Sequence, residues 1–159
     1  MTDLSDFSDD ERDLIMGTPG VVLKGAIVAD GSKNAIAFLK EVTAGAKTFR
    51  EAQEHQNPFV KAVATALRGR GPSVEEDREL PFTDEAMGRA LVMAREVMAV
   101  LHGRVPAEDA AAYGAWLVRI ATEVAKAAST KQGGFFSRKV PINASEQAFI
   151  EDLEQAVAA

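Results

Sequence analysis

Glu51, Glu54 and His55 are the residues whose types and spacing come nearest to a metal site. Glu51 and His55 stand one helical turn apart, and a carboxylate with an imidazole can share a divalent cation. A di-iron bundle asks for more: a Glu and a His three residues apart from each of two helices, plus two further glutamates. The chain has only two histidines, and no Glu stands three or four residues before His102. A solvated helix end is therefore the stronger reading of the trio. The sharper alternative is a divalent metal as cofactor, held by Glu51, Glu54 and His55.

The other chemistry-bearing groups are thinner. Lys126, Lys131, Arg138 and Lys139, with Phe135 and Phe136, form the main basic and aromatic concentration, which could grip an anionic partner or stack a base. Cations answering a helix dipole are the plainer explanation. Gly133-Gly134 lacks the G-x-x-x-x-G-K-[ST] pattern and the preceding strand of a phosphate-cradling loop, so helix termination accounts for it. Arg68 and Arg70 could reach a phosphate, but Glu75, Glu76, Asp77 and Glu79 cancel most of their field within a Debye length of about 8–10 Å. His102, just before Gly103, suits a helix C-terminus. With no cysteine and no visible pairing of a histidine with a nucleophile, no catalytic residue is assigned and an enzyme is the least supported class.

Composition bounds these readings. The 159 residues suffice for one domain, 1–159, with a sizeable core. A hydrophobic share of 47% with 26% charged residues is that of an ordinary globular protein. The net charge of −6 argues against a dedicated nucleic-acid binder, whose phosphate contacts need clustered Lys and Arg. The acidic start MTDLSDFSDDERD does not resemble a signal peptide, and no apolar run approaches the roughly 20 residues that span a bilayer. These features predict a cytoplasmic protein that does not engage membranes. Residues 3 to 13 carry six acids against one Arg, which suits a solvated helix start, or more sharply a cation site or a docking face for a basic partner.

The elements that must position these groups read as helices throughout. The stretch 106–130 places Tyr113, Trp116, Leu117, Ile120, Ala121, Val124 and Ala128 on one side of a helix, and it holds the only Trp and the only Tyr. The spacing predicts that this helix is central. Ser8-Asp9-Asp10-Glu11 has the form of a capping box and predicts a short helix to about Met16. Thr18-Pro19 then reads as a cap and first position of a second helix, apolar nearly all round and broken at Asp30-Gly31-Ser32. Helices follow over about 33–55, over 58–69, where Asn57-Pro58 repeats the cap-then-proline device, and over 83–103, the last forming an antiparallel hairpin with the central helix across a short link. Residues 69–82 form an irregular charged loop, QGGFFSRKVPIN an extended segment, and the chain closes with a helix capped by Asn143 and Glu146. Gly25, Gly45, Gly88 and Gly114 fall inside helices at about 0.8–1 kcal/mol each relative to Ala, which close helix packing can offset. The expected fold is an all-α, single-domain bundle of six or seven helices.

YGAWLVRIATEVAKAASTKQGGFF followed by ASEQAFIEDLEQAV resembles an uncharacterised group of small all-helical bacterial proteins with an IA-x-x-VA-x-AA helix, a GGF turn and a Ser/Glu-started last helix. The resemblance covers about the last third of the chain and implies a helical fold in a bacterial cytoplasm. A fainter likeness, through Val28-Ala29-Asp30-Gly31-Ser32, is to the TerB-like helical domains of tellurite resistance. In those domains an acidic residue in the next helix contributes to a metal site; here that neighbourhood reads Lys33, Asn34, Ala35, Ile36 and Ala37. Together these readings point first to a non-catalytic helical protein-interaction module, self-associating as a homodimer or bound to a protein partner. The alternative is a metal-binding or metal-stress domain.

Overall fold

The computed structural model describes residues 3–30, 35–70, 85–129 and 144–158. After a 3-10 turn at Leu4–Asp6 come six α-helices: α1 (Asp9–Asp30), α2 (Ala35–Ala52), α3 (Pro58–Arg70), α4 (Glu85–Leu101), α5 (Ala107–Ser129) and α6 (Ala144–Ala158). No strand occurs among the described residues, and no helix there is long and apolar enough to cross a membrane. The expected irregular loop and the QGGFFSRKVPIN segment lie almost wholly outside them.

Local signals set several helix ends as expected. Ser8 and Glu11 close the capping box reciprocally: the Glu11 N–H donates to the Ser8 hydroxyl at 3.2 Å, and the Ser8 N–H to the Glu11 carboxylate at 2.9 Å. That amide, and then the nearby Arg104, hold the Glu11 carboxyl below its usual range. Asn57 caps α3 by accepting from the Phe59 and Val60 N–H groups at 3.0 and 3.2 Å, with Pro58 at the first helical position. Gly103 ends the α4 turn at φ 81°, a left-handed conformation that glycine adopts without steric cost.

α5 touches every other α-helix, as a central helix must. Tyr113, Leu117, Ile120 and Val124 are fully enclosed, and Trp116 is 3% exposed. α1 is its equal, packing against all five others and most heavily against α4. The expected hairpin of α4 with α5 does not form as a packed pair. The link 102–106 joins them, but α1 takes up the inner face of α4, with Ala90, Ala94, Val97 and Leu101 buried.

A second correction concerns Pro19. The predicted break near Met16 is absent, and α1 runs unbroken from Asp9 to Asp30 with Pro19 inside it. An interior proline supplies no N–H to the carbonyl four residues back, a defect costing about 3 kcal/mol or more in a helix. Here that carbonyl belongs to Ile15, and the Tyr113 hydroxyl donates to it at 2.7 Å from α5. Thr18 adds a bond from its hydroxyl to the Leu14 carbonyl at 2.6 Å. Burial drives the Tyr113 phenol well above its ordinary range, against a weaker opposing hydrogen bond with Thr18. The hydroxyl thus stays a proton donor.

Close packing answers three of the four glycines expected inside helices; Gly17, Gly20 and Gly69, which α1 and α3 also enclose, meet no close neighbour. A Cβ at Gly25 would lie 2.9 Å from the Phe149 ring, 3.2 Å from the Ala90 Cβ and 3.3 Å from the Ala86 carbonyl oxygen. Gly45 meets Leu23 and Gly114 meets Val157 just as closely, whereas Gly88 faces open space.

Two measurements follow from this packing. Tyr113→Phe strands the buried Ile15 carbonyl and is expected to cost about 1–3 kcal/mol in chemical denaturation. In a Pro19→Ala background the residue-19 N–H can serve Ile15, so the same substitution should cost measurably less; strict additivity would contradict the substitution of hydroxyl for amide. Gly25→Ala should cost roughly 1–3 kcal/mol by overpacking. Gly88→Ala should instead gain about 0.8–1 kcal/mol.

Candidate functional site

Where α2 lies along α5, residues at helical spacing on the two helices face one another. Thr48, Glu51 and Ala52 come from α2, His55 from the turn just beyond its end, and Ala115, Trp116 and Arg119 from α5. Between them is a hollow of about 200 Å³. The small side chains of Ala52 and Ala115 leave room that larger residues would fill.

The polar groups of this hollow are mostly committed. The Thr48 hydroxyl, in a residue 3% exposed, donates to the Gly45 carbonyl at 2.6 Å. Arg119 reaches across from α5 to donate to Glu51 at 2.8 Å, while Lys47, one turn before Glu51, stands 3.8 Å from the other carboxylate oxygen. His55 Nδ1 accepts from the Asn57 N–H at 2.9 Å, which leaves Nε2 as the ring's other polar atom. Asn57 in turn donates to Asp109 at 2.9 Å, tying the start of α3 to the first turn of α5. Beside this tie a wider, shallower groove of about 570 Å³ runs along His55, Asn57, Pro106 and Glu108.

Trp116 is the exception. Its indole N–H is buried and meets no acceptor among the described residues. The ring is held edge-on by Phe49, with centroids 5.7 Å apart, and by Tyr113 at 6.0 Å. Tyr113 continues to Phe59 at 6.0 Å, and Phe59 to Phe7 at 6.4 Å, over which Arg104 lies at 4.9 Å. An unsatisfied buried donor costs about 1–3 kcal/mol, so this N–H is an uncommon feature of a folded interior.

The structure places the sequence candidates unevenly. Glu51 and His55 line the same hollow, but α2 ends at Ala52, short of the expected 55, so His55 reaches it from the turn 53–55 rather than along a helical face, and Glu54 does not line it. Among the described residues no group of three or more His, Asp or Glu side chains comes together in a way that could hold a metal ion. Of the basic cluster, Lys126 pairs with Glu123 at 3.7 Å, while Lys131, Arg138 and Lys139 lie outside the described residues. Arg68 donates to Gln53 at 3.3 Å, and His102 is exposed just beyond the end of α4. Sequence reasoning missed Thr48 and Arg119. Both stand within a turn of the apolar stripe of their helices, Thr48 beside Phe49 and Arg119 beside Ile120, a flank where polar residues meet a neighbouring helix.

Comparison of the chain with family models, with curated proteins and with solved structures gives no match. The residues of the hollow therefore carry the functional argument on their own.

Asn57 is the joint on which one wall of the hollow rests. Asn57→Ala removes the α3 cap and the bond to Asp109, and is expected to cost about 1–2 kcal/mol in thermal or urea unfolding. A loss within a few tenths of a kcal/mol would contradict that role.

Proposed function

We propose that the chain is a non-catalytic helical module that acts through protein contacts, as a homodimer or as a subunit bound to another protein, within a bacterial cytoplasm. One observation carries the reading. At the α2–α5 hollow the groups that could do chemistry, Thr48, Glu51 and His55, already hold backbone or a cation, while the Trp116 N–H has no acceptor among the described residues. Catalysis needs a nucleophile or base free to move a proton; recognition needs a fixed donor and a charged rim. This arrangement serves the second requirement.

The surface around the hollow suits a partner. Lys47 and Arg119 are well exposed at its rim, so charge there can steer an encounter without the cost of burial in the free protein. In sedimentation velocity over a range of concentrations, the protein should form a dimer, or a stoichiometric complex with a protein retained from its host. Lys47→Glu with Arg119→Glu should weaken that association at least tenfold, whereas Arg95→Glu, exposed on α4, should leave it unchanged. A monomer at every concentration with no retained partner overturns the reading.

A further inference from the structure

We infer that the α2–α5 hollow binds a carboxylate, which takes Arg119 from Glu51 and brings an acceptor to the indole of Trp116. The inference rests on the binding-module reading and names the chemistry recognised at its surface. Donors are in excess around the hollow. Trp116 offers an N–H with no acceptor among the described residues, Arg119 offers a guanidinium, and His55 offers Nε2–H when Nδ1 accepts from Asn57. The acceptors are spoken for: Glu51 faces two cations. A planar anion with two oxygens matches a guanidinium in a forked arrangement and leaves an oxygen for a second donor. The volume of about 200 Å³ fits a small acid or one acidic side chain.

The ion pair is built to exchange partners. Arg119 is 56% exposed and Glu51 41%, and pairs so exposed contribute little, so opening this one is cheap. Glu51 is not stranded when Arg119 leaves, because Lys47 stands 3.8 Å from its other oxygen. The indole N–H lies out of water's reach while the rim is closed, and the proposed binding includes a path to it opened as Arg119 parts from Glu51. Glu51 therefore acts as an internal competitor for the ligand.

The competitor gives the inference opposite signs at two positions. Glu51→Gln removes the rival carboxylate and should tighten binding several-fold; Arg119→Gln should weaken it about tenfold. Both side chains are exposed, so neither change threatens folding. The single tryptophan gives one indole N–H resonance in a ¹⁵N-labelled sample, and that resonance is the readout. Wild type and both variants are titrated at constant ionic strength with acetate, succinate and free glutamate, with a short Glu-containing peptide, and with its Gln counterpart. Chloride and inorganic phosphate are the controls.

A saturable indole shift with acids, tightened in Glu51→Gln and weakened in Arg119→Gln, is the expected result. Saturation by the free acids identifies a small molecule as the source; saturation by the Glu peptide alone identifies a protein side chain. An equal response to the Gln peptide, a response shared with chloride or phosphate, or a shift that both variants leave unchanged overturns the inference. Silence in every arm overturns it as well, while the association measured by sedimentation decides the binding-module reading separately.

Discussion

The hydrogen bond from Tyr113 to the Ile15 carbonyl is the constraint on which the rest of the structure depends. Pro19 makes α1 incomplete by itself, and α5 completes it at a point where both residues are wholly shielded from water. No solvent molecule can stand in there, so the two long helices are interdependent. The bond also fixes their relative setting. A slip of one residue turns a helix by about 100° and advances it about 1.5 Å, which would carry the phenol away from the only turn that lacks an amide. A hydrophobic face alone tolerates such slips far better than a hydrogen bond of this kind does.

Around that crossing the packing relies on small residues. Gly25 lets α1 approach the Ala86–Ala90 face of α4, Gly45 admits Leu23, and Gly114 admits Val157. Close approach brings backbone and short side chains into contact over long stretches, and five of the large rings form one run from Phe49 through Trp116, Tyr113 and Phe59 to Phe7, while Phe149 packs apart from it against the Gly25 face of α1. The hollow occurs where this run reaches the surface between α2 and α5, with alanines rather than larger residues beside the indole. Its floor is consequently part of the core, and its rim is not.

How much of this could be read from the chain depended on how local the cause was. The Ser8–Glu11 box and the Asn57-Pro58 start are settled within four residues, and both were legible. The central role of α5 was legible too, because its apolar stripe is long and carries the largest rings. Pro19 was misread for a definite reason: local propensity says that a proline ends a helix, and the donor that repairs the defect comes from a residue far along the chain. The α4–α5 link misled similarly. A short connection implies neighbouring helices, but the left-handed Gly103 turn and the claims of α1 on the alanine face of α4 decided the packing. At the hollow, Glu51 and His55 read as one helical turn apart, but α2 stops at Ala52, and the turn that follows, with the Asn57 N–H bonded to the imidazole, sets where His55 stands. Arg119 and the indole N–H, without an acceptor among the described residues, emerge only once α2 and α5 are brought together.

The division between floor and rim limits how the hollow can respond to an occupant. Trp116 is wedged between Phe49 and Tyr113, and Tyr113 is itself pinned to Ile15, so large displacement of the indole would strain the crossing that holds α1 together. That strain makes the ring a poor moving part and a good fixed donor. The exposed Arg119–Glu51 pair has the opposite properties, with little energy in the pair and a second cation ready beside Glu51. In the proposed binding, adaptation is therefore confined to side chains at the rim, and discrimination to a donor whose position the core dictates. An occupant that satisfies the indole adds its binding free energy only to the folded state, in which α1, α2 and α5 have already met, so occupancy and the integrity of the helix crossing rise together.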